Sequence, residues 1–439
     1  MTRPNILCIS IDSLRADHTS LFGQDGPETT PVLDNLSSDA TVFPRAISPS
    51  IWTLPVHTSV FTGLFPPEHG IVSRNEVLGD HPTFLELLAD YGYETEAFYL
   101  NSWFDTGEIL RGFGISRDSA GGSSKAQLAD RIEGVSPTLR QIVERSYKFQ
   151  KRFRAWGLSQ PRDPEDSGDR RTVNRAQAAI ESADSPFCFF VHLNDTHYKY
   201  DPPAPHHDSF TDRSALGLLY NYEVWQHRIY DSVRNRIRAD TGQLDVPERE
   251  VETFQNLYRG TIEYCDSLVG TLVGSLKRAG TWEDTILIVF GDHGDSFGEN
   301  GIFGHQLSLH DSLLRVPLLI RDPTGTLDAG TVASPTSLVD IYPTVLSLAG
   351  VDGPATRAVD LTTDRRDYAF AYYDISDHDW YRDPPDGVDR DRLPPPRQHA
   401  VWHSENNKVI YYPGEDKYVT IGDTDGSLAQ RLDEHTAAL

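Results

Sequence analysis

The sequence predicts an α/β protein with a doubly wound, mostly parallel sheet, helices on both faces of that sheet, and a small C-terminal antiparallel subdomain. Two observations predict the main sheet: short apolar, β-rich segments recur along the chain, and segments with helical periodicity lie between them. A third predicts the subdomain: two strand-like segments near the C-terminus are separated by Asn406-Asn407. We expect the main domain to span residues 1–354 and the subdomain residues 355–439.

The predicted strands of the main sheet are the apolar segments 5–12, 95–99, 187–193, 285–290 and 316–320, and the clearest helical segments are 82–91 and 256–279. Ligands of doubly wound sheets bind where the strands end. Candidate functional residues are therefore those that follow the strands: Asp12, residues 194–197 and residues 291–294.

Two polar stretches interrupt this alternation. The first, around 112–185, is rich in Arg, and the second, around 201–250, begins Pro-rich and continues as an aromatic helical segment. Long connections of this kind are often functional. We interpret both as insertions close to the site.

Composition excludes several classes of protein. Of the 439 residues, 38% are hydrophobic, which excludes a wholly disordered chain. The 65 acidic and 40 basic residues give a net charge of −25, which argues against a nucleic-acid binder. Acids are spread along the whole chain and only seven of the cations are Lys. This pattern predicts a halophilic protein, because concentrated salt screens the self-repulsion of so many acids.

The sequence also gives expectations about compartment. Cys8, Cys188 and Cys265 have neither disulfide nor zinc-site spacing, so we expect buried thiols. The first apolar segment is too short for a signal peptide, and no segment has the length of a membrane span. We therefore expect a soluble, cytoplasmic protein without a membrane span.

Four segments carry residues suited to chemistry at an anionic ester. Asp12 ends the first strand, and Asp292-His293 follows another strand between two glycines, so these residues offer hard donors to a divalent ion. Thr53 stands at a predicted helix start, where the helix dipole favours anions. His197 lies just beyond a third strand. Taken singly, each of these residues also has an ordinary structural explanation.

Taken together, the motifs resemble those of sulfatases in the alkaline-phosphatase superfamily. The resemblance covers nearly the whole chain and is carried by residues 11–17, 53–64 with 67–70, 195–197, 291–294, 315–318 and 339–344. It implies that Asp12, Asp292 and His293 bind a divalent metal together with the nucleophile, which the family places two residues before the motif proline. That position is Thr53 here.

The sequence departs from the sulfatase pattern at several of these positions. Sulfatases oxidise a Cys or Ser nucleophile to formylglycine, which Thr53 cannot become. The Gly-Lys-Trp-His segment of many sulfatases is absent around 99–102, a lysine near the metal turn is replaced by His305, and a second aspartate is replaced by Ser13. Relatives with an unmodified Thr act on phosphate esters.

The resemblance therefore implies a metal-dependent hydrolase that cleaves a phosphate or sulfate ester through Thr53. It further implies that His197 protonates the leaving oxygen or holds the oxygens of the transferred group, that His57 and His305 replace the cations flanking that group, and that Asn75 contacts substrate. Charge favours a phosphodiester, because the modest supply of cations at the site, Lys199 among them, suits a singly charged group that Lys199 contacts. The cofactor is a divalent ion (Mn, Zn, Ca or Mg); one ion is favoured, and two would require His197, Asp195 and His305 to form a second site.

Several alternatives stay open at this point. If an alcohol replaces water as acceptor, the enzyme is a phosphoryl-group transferase of the phosphoglycerol or phosphoethanolamine transferase kind. Others are a sulfuric ester hydrolase that needs no formylglycine and a catalytically silent anion- or glycan-binding protein. The expected partner is a small-molecule, glycan or lipid ester, and the sequence gives no oligomeric state.

Overall fold

The computed structural model describes residues 3–23, 26–117, 168–184, 186–404, 407–422 and 425–439. Its strands are β1 Asn5–Ile11, β2 Thr41–Val42, β3 Ala46–Ile47, β4 Glu94–Tyr99, β5 Gly114–Arg117, β6 Phe187–Leu193, β7 Thr285–Gly291, β8 Ser296–Phe297, β9 Phe303–Gly304, β10 Arg315–Val316, β11 Leu318–Arg321, β12 Gly330–Thr331, β13 Thr336–Ser337, β14 Ala369–Asp374, β15 Arg397–Ser404, β16 Asn407–Tyr412 and β17 Lys417–Ile421.

The α-helices are α1 Pro31–Leu36, α2 Thr53–Thr62, α3 Pro66–His69, α4 Phe84–Asp90, α5 Gly168–Ser182, α6 Ala215–Tyr220, α7 His227–Tyr230, α8 Val233–Asp240, α9 Glu248–Ala279, α10 Asp311–Leu314, α11 Ile341–Ala349, α12 Asp379–Arg382 and α13 Ser427–Ala437. A π-helical segment, Asn221–Gln226, joins α6 to α7. None of the described helices combines the length and the apolar character needed to cross a lipid bilayer.

The main sheet has eight strands in the order β12-β2-β11-β7-β1-β6-β4-β5. The five neighbouring strands from β7 to β5 are parallel. The strand β11 pairs antiparallel with β7, and β2 pairs antiparallel with β11. This arrangement confirms the predicted fold class. One predicted strand, 316–320, is divided by Pro317, which has no N–H to donate. Residues before Pro317 form β10, which pairs with β3 of a second sheet, and residues after it form β11.

Both faces of the main sheet are buried. Leu7, Ile9 and Ile11 of β1 point into a core formed with α5, α9 and α1. Ile6 and Cys8 point to the opposite side, into a core formed with α2, α4 and α11. Because successive strand side chains point to opposite faces, β1 is apolar at nearly every position, as expected for a central parallel strand.

A separate antiparallel sheet lies near the C-terminus, with the strand order β14-β15-β16-β17. The predicted hairpin corresponds to β15 and β16, which pair from His399 with Tyr411 to Ser404 with Asn407. The helix α13 packs on this sheet through Leu428 and Leu432. The predicted antiparallel subdomain is therefore present, while its boundary at residue 355 stays a prediction.

Of the two predicted insertions, the first lies mostly outside the described residues, which leave out 118–167 and 185. Its described end forms α5, which covers the sheet beside α9 and contributes Val173, Ala176 and Ile180 to the core. The second predicted insertion, 201–250, contains α6, the π-helical segment, α7 and α8. The thiols of Cys8, Cys188 and Cys265 are all buried and free.

Candidate active site

The chemistry-bearing residues meet at the edge of the sheet where the parallel strands end. Asp12 directly follows β1, and Asp292 and His293 directly follow β7, the strand paired with β1. Thr53 is the first residue of α2, whose N-terminus points its free backbone N–H groups and its positive dipole end at the same place. Sequence-distant residues are thus brought together by the parallel register.

Asp12, Asp292 and His293 form a compact ligand cluster. One ligand atom from each lies within 4.8 Å of the others, and all three side chains are fully buried. His293 Nε2 is 3.7 Å from Asp12 Oδ1 and 3.6 Å from Asp292 Oδ2. The glycine after His293 permits this close turn, because a Cβ on Gly294 would lie 2.0 Å from the Ser312 carbonyl oxygen.

The hydrogen bonds of the cluster leave two ligand atoms without partners. His293 Nδ1 donates to the Gly294 carbonyl at 2.9 Å, which fixes the tautomer and leaves the Nε2 lone pair facing the carboxylates. Asp292 Oδ1 accepts from the backbone N–H of Ser13 and of His293. Within the described chain, Asp292 Oδ2 and His293 Nε2 are buried without a hydrogen-bond partner. Two buried acceptors that face each other fit a divalent cation.

The protonation of the cluster suits a cation as well. Burial, with a smaller contribution from His305, lowers the pKa of His293 to about 3, so the imidazole is neutral, as a metal ligand must be. Burial and then the neighbouring Asp12 carboxylate raise the pKa of Asp292 well above its usual value. Burial also acts to raise the pKa of Asp12, but nearby imidazoles, His197 first, outweigh it and the pKa is lowered.

Thr53 is held next to the cluster by Asn101, which follows β4. Asn101 Nδ2 donates to Asp12 Oδ2 at 3.0 Å and to Thr53 Oγ1 at 3.4 Å. Thr53 is only 4% exposed. A single amide therefore fixes the threonine hydroxyl relative to a ligand carboxylate.

Beneath Thr53 lies a buried polar chain that reaches Asp12. His57 Nδ1 donates to the Thr53 carbonyl at 2.8 Å, and His57 Nε2 is 2.8 Å from Ser10 Oγ. Ser10 Oγ is 3.2 Å from His192 Nδ1, and His192 Nε2 is 3.3 Å from Asp12 Oδ2. This chain links the backbone of Thr53 to the ligand carboxylate.

The position of His57 differs from the expected one. We expected it to replace a cation beside the transferred group, but it is fully buried and both ring nitrogens are engaged. Burial, and then His192, lowers the pKa of His57 well below its usual value, so the ring is neutral. His57 therefore supports the start of α2 from behind.

His305 and His197 lie on the other side of His293. The rings of His293 and His305 are 4.6 Å apart, and those of His305 and His197 are 5.0 Å apart. His197 Nδ1 donates to the Tyr198 carbonyl at 2.6 Å, which leaves Nε2 as the other functional atom. Burial first, and then His197, lowers the pKa of His305 well below its usual value, so His305 also differs from the expected cation.

A buried acid, Asp295, stands behind His305. Asp295 Oδ2 accepts from the Tyr200 hydroxyl at 2.6 Å, and Asp295 Oδ1 is 3.4 Å from His305 Nδ1. Burial raises the pKa of Asp295 to about 6, although the Tyr200 hydrogen bond opposes the rise. Tyr198 stacks on the His305 ring at 5.0 Å.

The two remaining predicted substrate residues are not brought into the cluster. The ammonium of Lys199 pairs with Asp231 at 2.5 Å. Asn75 is exposed on the loop after α3, where its backbone N–H donates to Ser73 Oγ. In the described part of the chain, neither side chain forms a hydrogen bond with Asp12, Thr53 or Asp292.

Three residues of the site were missed by the sequence reasoning: Asn101, His192 and Asp295. Asn101 follows a correctly predicted strand, so its position at the strand end was the available signal. His192 lies within the apolar segment of β6, and nothing in the sequence shows which face of the sheet its side chain points to. Asp295 follows the metal turn, but its contact with Tyr200 depends on a residue 95 positions away.

Comparison with known proteins identifies the family of the chain. The family model described as Sulfatase matches residues 4–351. "Uncharacterized sulfatase YidJ" of Escherichia coli (strain K12) is 22% identical over 379 residues, covering 81% of this chain and 69% of its own length. "Multifunctional alkaline phosphatase superfamily protein PehA" of Trinickia caryophylli is 24% identical over 402 residues, with 81% and 75% covered.

Among solved structures, the phosphonate monoester hydrolase of Agrobacterium radiobacter superposes with a TM-score of 0.72 at 19% identity, over 99% of this chain and 95% of that chain. That identity shows a shared fold. The family model spans most of the sequence, including the residues that follow β1 and β7. The chain therefore belongs to the sulfatase family and is an ester hydrolase.

Proposed function

We propose that this ester hydrolase cleaves a phosphodiester by attack of the Thr53 hydroxyl beside one divalent ion held by Asp12, Thr53, Asp292 and His293. One observation carries the proposal: Asn101 donates both to Thr53 Oγ1 and to Asp12 Oδ2, which places the hydroxyl against the ligand cluster. The two unpartnered ligand atoms, Asp292 Oδ2 and His293 Nε2, support the presence of the ion.

The ion is Mn²⁺, Zn²⁺, Ca²⁺ or Mg²⁺. When bound, such an ion lowers the pKa of a hydroxyl and offsets the negative charge of the transferred group. The chain supplies the rest: Asn101 orients Thr53, and the N-terminus of α2 stabilises charge developing on the non-bridging oxygens.

The reaction then has two balanced steps. Thr53 Oγ1 forms a bond to phosphorus and releases its proton to solvent, while the bond from phosphorus to the leaving ester oxygen breaks. His197 Nε2 gives a proton to that oxygen, and the product alcohol departs. A water molecule next attacks the phosphorus of the covalent Thr53 phosphodiester and gives a proton to His197 Nε2. The Thr53 Oγ1–P bond breaks, and Oγ1 takes a proton from solvent.

The charge of the site supports a singly charged ester. Asp12, Asp292 and Asp295 are all buried there, while His57 and His305 are neutral and Lys199 is paired with Asp231. A phosphate monoester brings nearly two negative charges, whereas a phosphodiester, phosphonate monoester or sulfate ester brings one. The phosphonate monoester hydrolase with the same fold is named for an ester of this singly charged class.

A panel of p-nitrophenyl esters tests the proposal: methyl p-nitrophenyl phosphate, p-nitrophenyl phosphate and p-nitrophenyl sulfate, each with the four ions in turn. The assays are run at both low and high salt, since the surface predicts halophilic behaviour. We expect the diester to be the best substrate. We expect Thr53→Ala to lower its turnover by on the order of 10³-fold or more, and Thr53→Ser to keep part of the activity.

Thr62→Ala is the matched control. Thr62 is buried on the same helix and donates to the carbonyl four residues earlier, away from the cluster. Full activity of Thr53→Ala would overturn the nucleophile, and faster cleavage of the sulfate would make the enzyme a formylglycine-independent sulfatase. Transfer of phosphate to added glycerol in preference to water would make it a transferase. Metal binding without any turnover would indicate a silent binding protein.

A further inference from the structure

Two partly buried tryptophans lie directly beside the proposed nucleophile. Trp52 precedes Thr53, and the backbone N–H of Trp103 donates to Asn101 Oδ1, the other end of the amide that contacts Thr53. The two indole rings are 4.8 Å apart and meet edge to face at 71°. Trp52 lies at the start of α2 and Trp103 lies in the loop after β4, so the two rings meet where these two segments meet beside Thr53.

Arg74 lies over the Trp103 ring, with its guanidinium carbon 3.9 Å from the ring centroid. It is exposed, and in the described part of the chain it forms no ion pair. Such a pairing lets a guanidinium keep its hydrogen-bonding edge free while its face rests on an aromatic ring.

A second stack in the same molecule provides the comparison. Arg321 lies 3.9 Å from the Trp282 ring centroid, the same separation, but its guanidinium is neutralised by Asp39 at 2.7 Å and Glu283 at 3.0 Å. Trp282 precedes β7, at the edge of the sheet away from the site. The stack remote from the cluster is therefore charge-balanced, whereas the positive charge of Arg74 has no acidic partner among the described residues.

A cavity and a buried ring nitrogen without a hydrogen-bond partner among the described residues also lie next to Trp52. Trp52 lines a cavity of about 340 Å³, a volume typical of small-molecule sites, together with Val72, Tyr372 and His399. The ring of His378 is 6.4 Å from that of Trp52, and its buried Nε2 has no partner among the described residues.

We infer that Trp52, Trp103 and Arg74 form the subsite for the organic part of the ester, and that this part is a ring bearing a negative charge. The tryptophans supply faces for the ring, and Arg74 supplies the partner for the charge. An aromatic acid and a sugar acid share this chemistry. The inference rests on the proposed function, because it takes Thr53 to mark the reacting bond.

Binding to the Thr53→Ala protein in the presence of Mn²⁺ tests the subsite without turnover. Calorimetry measures the binding of four ligands whose phosphate carries a single charge: dimethyl phosphate, methyl phenyl phosphate, methyl 4-carboxyphenyl phosphate and the phosphate methyl ester of glucuronic acid 1-phosphate. We expect affinity to rise from the dimethyl to the methyl phenyl ester and again to the methyl 4-carboxyphenyl ester, by about fivefold to tenfold at each step. The stronger of the last two ligands identifies the aromatic or the sugar acid.

Variants added to Thr53→Ala separate the two contributions. Trp103→Ala should remove the gain due to the ring and leave the binding of dimethyl phosphate unchanged, and Arg74→Ala should remove only the gain due to the carboxylate. Trp282→Ala is the matched control and should change neither. Equal affinity for all four ligands, no binding by the ring ligands, or equal losses in Trp103→Ala and Trp282→Ala would overturn the subsite. Failure of the proposed function would instead be seen as full turnover by Thr53→Ala alone.

Discussion

The side-chain amide of Asn101 donates a hydrogen bond to the hydroxyl oxygen of Thr53 over 3.4 Å. Because Thr53 accepts this bond, its own proton stays available for removal. The same nitrogen donates to Asp12 Oδ2 at 3.0 Å, so the orientation of the hydroxyl depends on a residue that is not itself a candidate metal ligand. This separation of orientation from metal binding can be measured.

We expect Asn101→Ala to lower kcat by about 10²-fold, the size of effect seen when a single oriented donor is removed from an active site. Metal content should be unchanged. Steady-state kinetics on the diester, with metal analysis of the same sample, checks both statements. Asn35→Ala removes an exposed side-chain hydrogen bond far along the chain and serves as control. Loss of metal in Asn101→Ala would assign the residue to the ligand set instead.

Replacing Asp292 with Asn should abolish metal binding, because one of the clustered carboxylates loses its charge. For the parent protein, we expect one ion per chain, and an ion present at 100 times its Kd should add about 2.7 kcal/mol to the free energy of unfolding. Calorimetric titration and urea unfolding with and without EDTA measure these quantities.

Asp295→Asn is the matched control for the replacement of Asp292. Asp295 is as deeply buried as Asp292 and lies three residues away, but it is outside the ligand cluster. The variant should keep one ion per chain. Two ions in the parent and one in Asp295→Asn would show that a second site exists beside His305.

Tyr258 holds the segment that follows Asp12, a proposed metal ligand. Its hydroxyl donates to the Ser13 carbonyl at 2.6 Å and accepts from the Arg15 N–H at 2.9 Å, and all of this is buried. Tyr258→Phe leaves two backbone groups unpartnered, so we expect a loss of about 1–3 kcal/mol in the free energy of unfolding and weaker metal binding. Urea unfolding and metal titration measure the two effects.

Tyr93→Phe is the control for that measurement, since the Tyr93 hydroxyl is buried with no hydrogen-bond partner in the described chain. Removing the Tyr93 hydroxyl should change the free energy of unfolding little. Equal stability losses in the two variants would mean that the Tyr258 hydrogen bonds contribute nothing specific.

Asp266 gives a pH dependence that is independent of the active site. Burial, with Asp34 and Glu263 nearby, raises the pKa of Asp266 to about 7, although the backbone N–H groups of Val32 and Leu33 oppose the rise. Between pH 4 and 7 the folded chain keeps a proton that the unfolded chain has released. Raising the pH through this window therefore favours unfolding, by up to about 1.4 kcal/mol per pH unit.

Asp266→Asn should remove this dependence. From pH 4.5 to pH 7 the free energy of unfolding of the parent should therefore fall relative to that of Asp266→Asn. Above pH 7 the difference between the two proteins should stay constant. Urea unfolding in EDTA at several pH values measures it. Asp80→Asn, an exposed acid, should show no such trend. A constant difference for Asp266→Asn would mean that the carboxyl is already ionised at pH 4.5.

Much of the fold was predictable because parallel strands buried on both faces are continuous apolar segments, as in β1, β6 and β7. The antiparallel addition of β11 was not, since strand direction depends on which partner a segment meets. Pro317 was visible in the sequence, but its effect, a switch of the chain from one sheet to another, required the position of β3.

The same distinction holds for the site. The sequence by itself determined that Asp12, Thr53, Asp292 and His293 are candidates, because strand ends, a helix start and a glycine-bounded turn are local features, and the resemblance to sulfatases joined them into one predicted site. Only the tertiary structure decided which polar residues surround them. Asn101, His192 and Asp295 act through contacts with Thr53, Asp12 and Tyr200, which are 48, 180 and 95 positions away. The tertiary structure also decided that His57 is buried and supports the start of α2. Burial and hydrogen bonding depend on every element packed around a side chain and are not encoded at any single position.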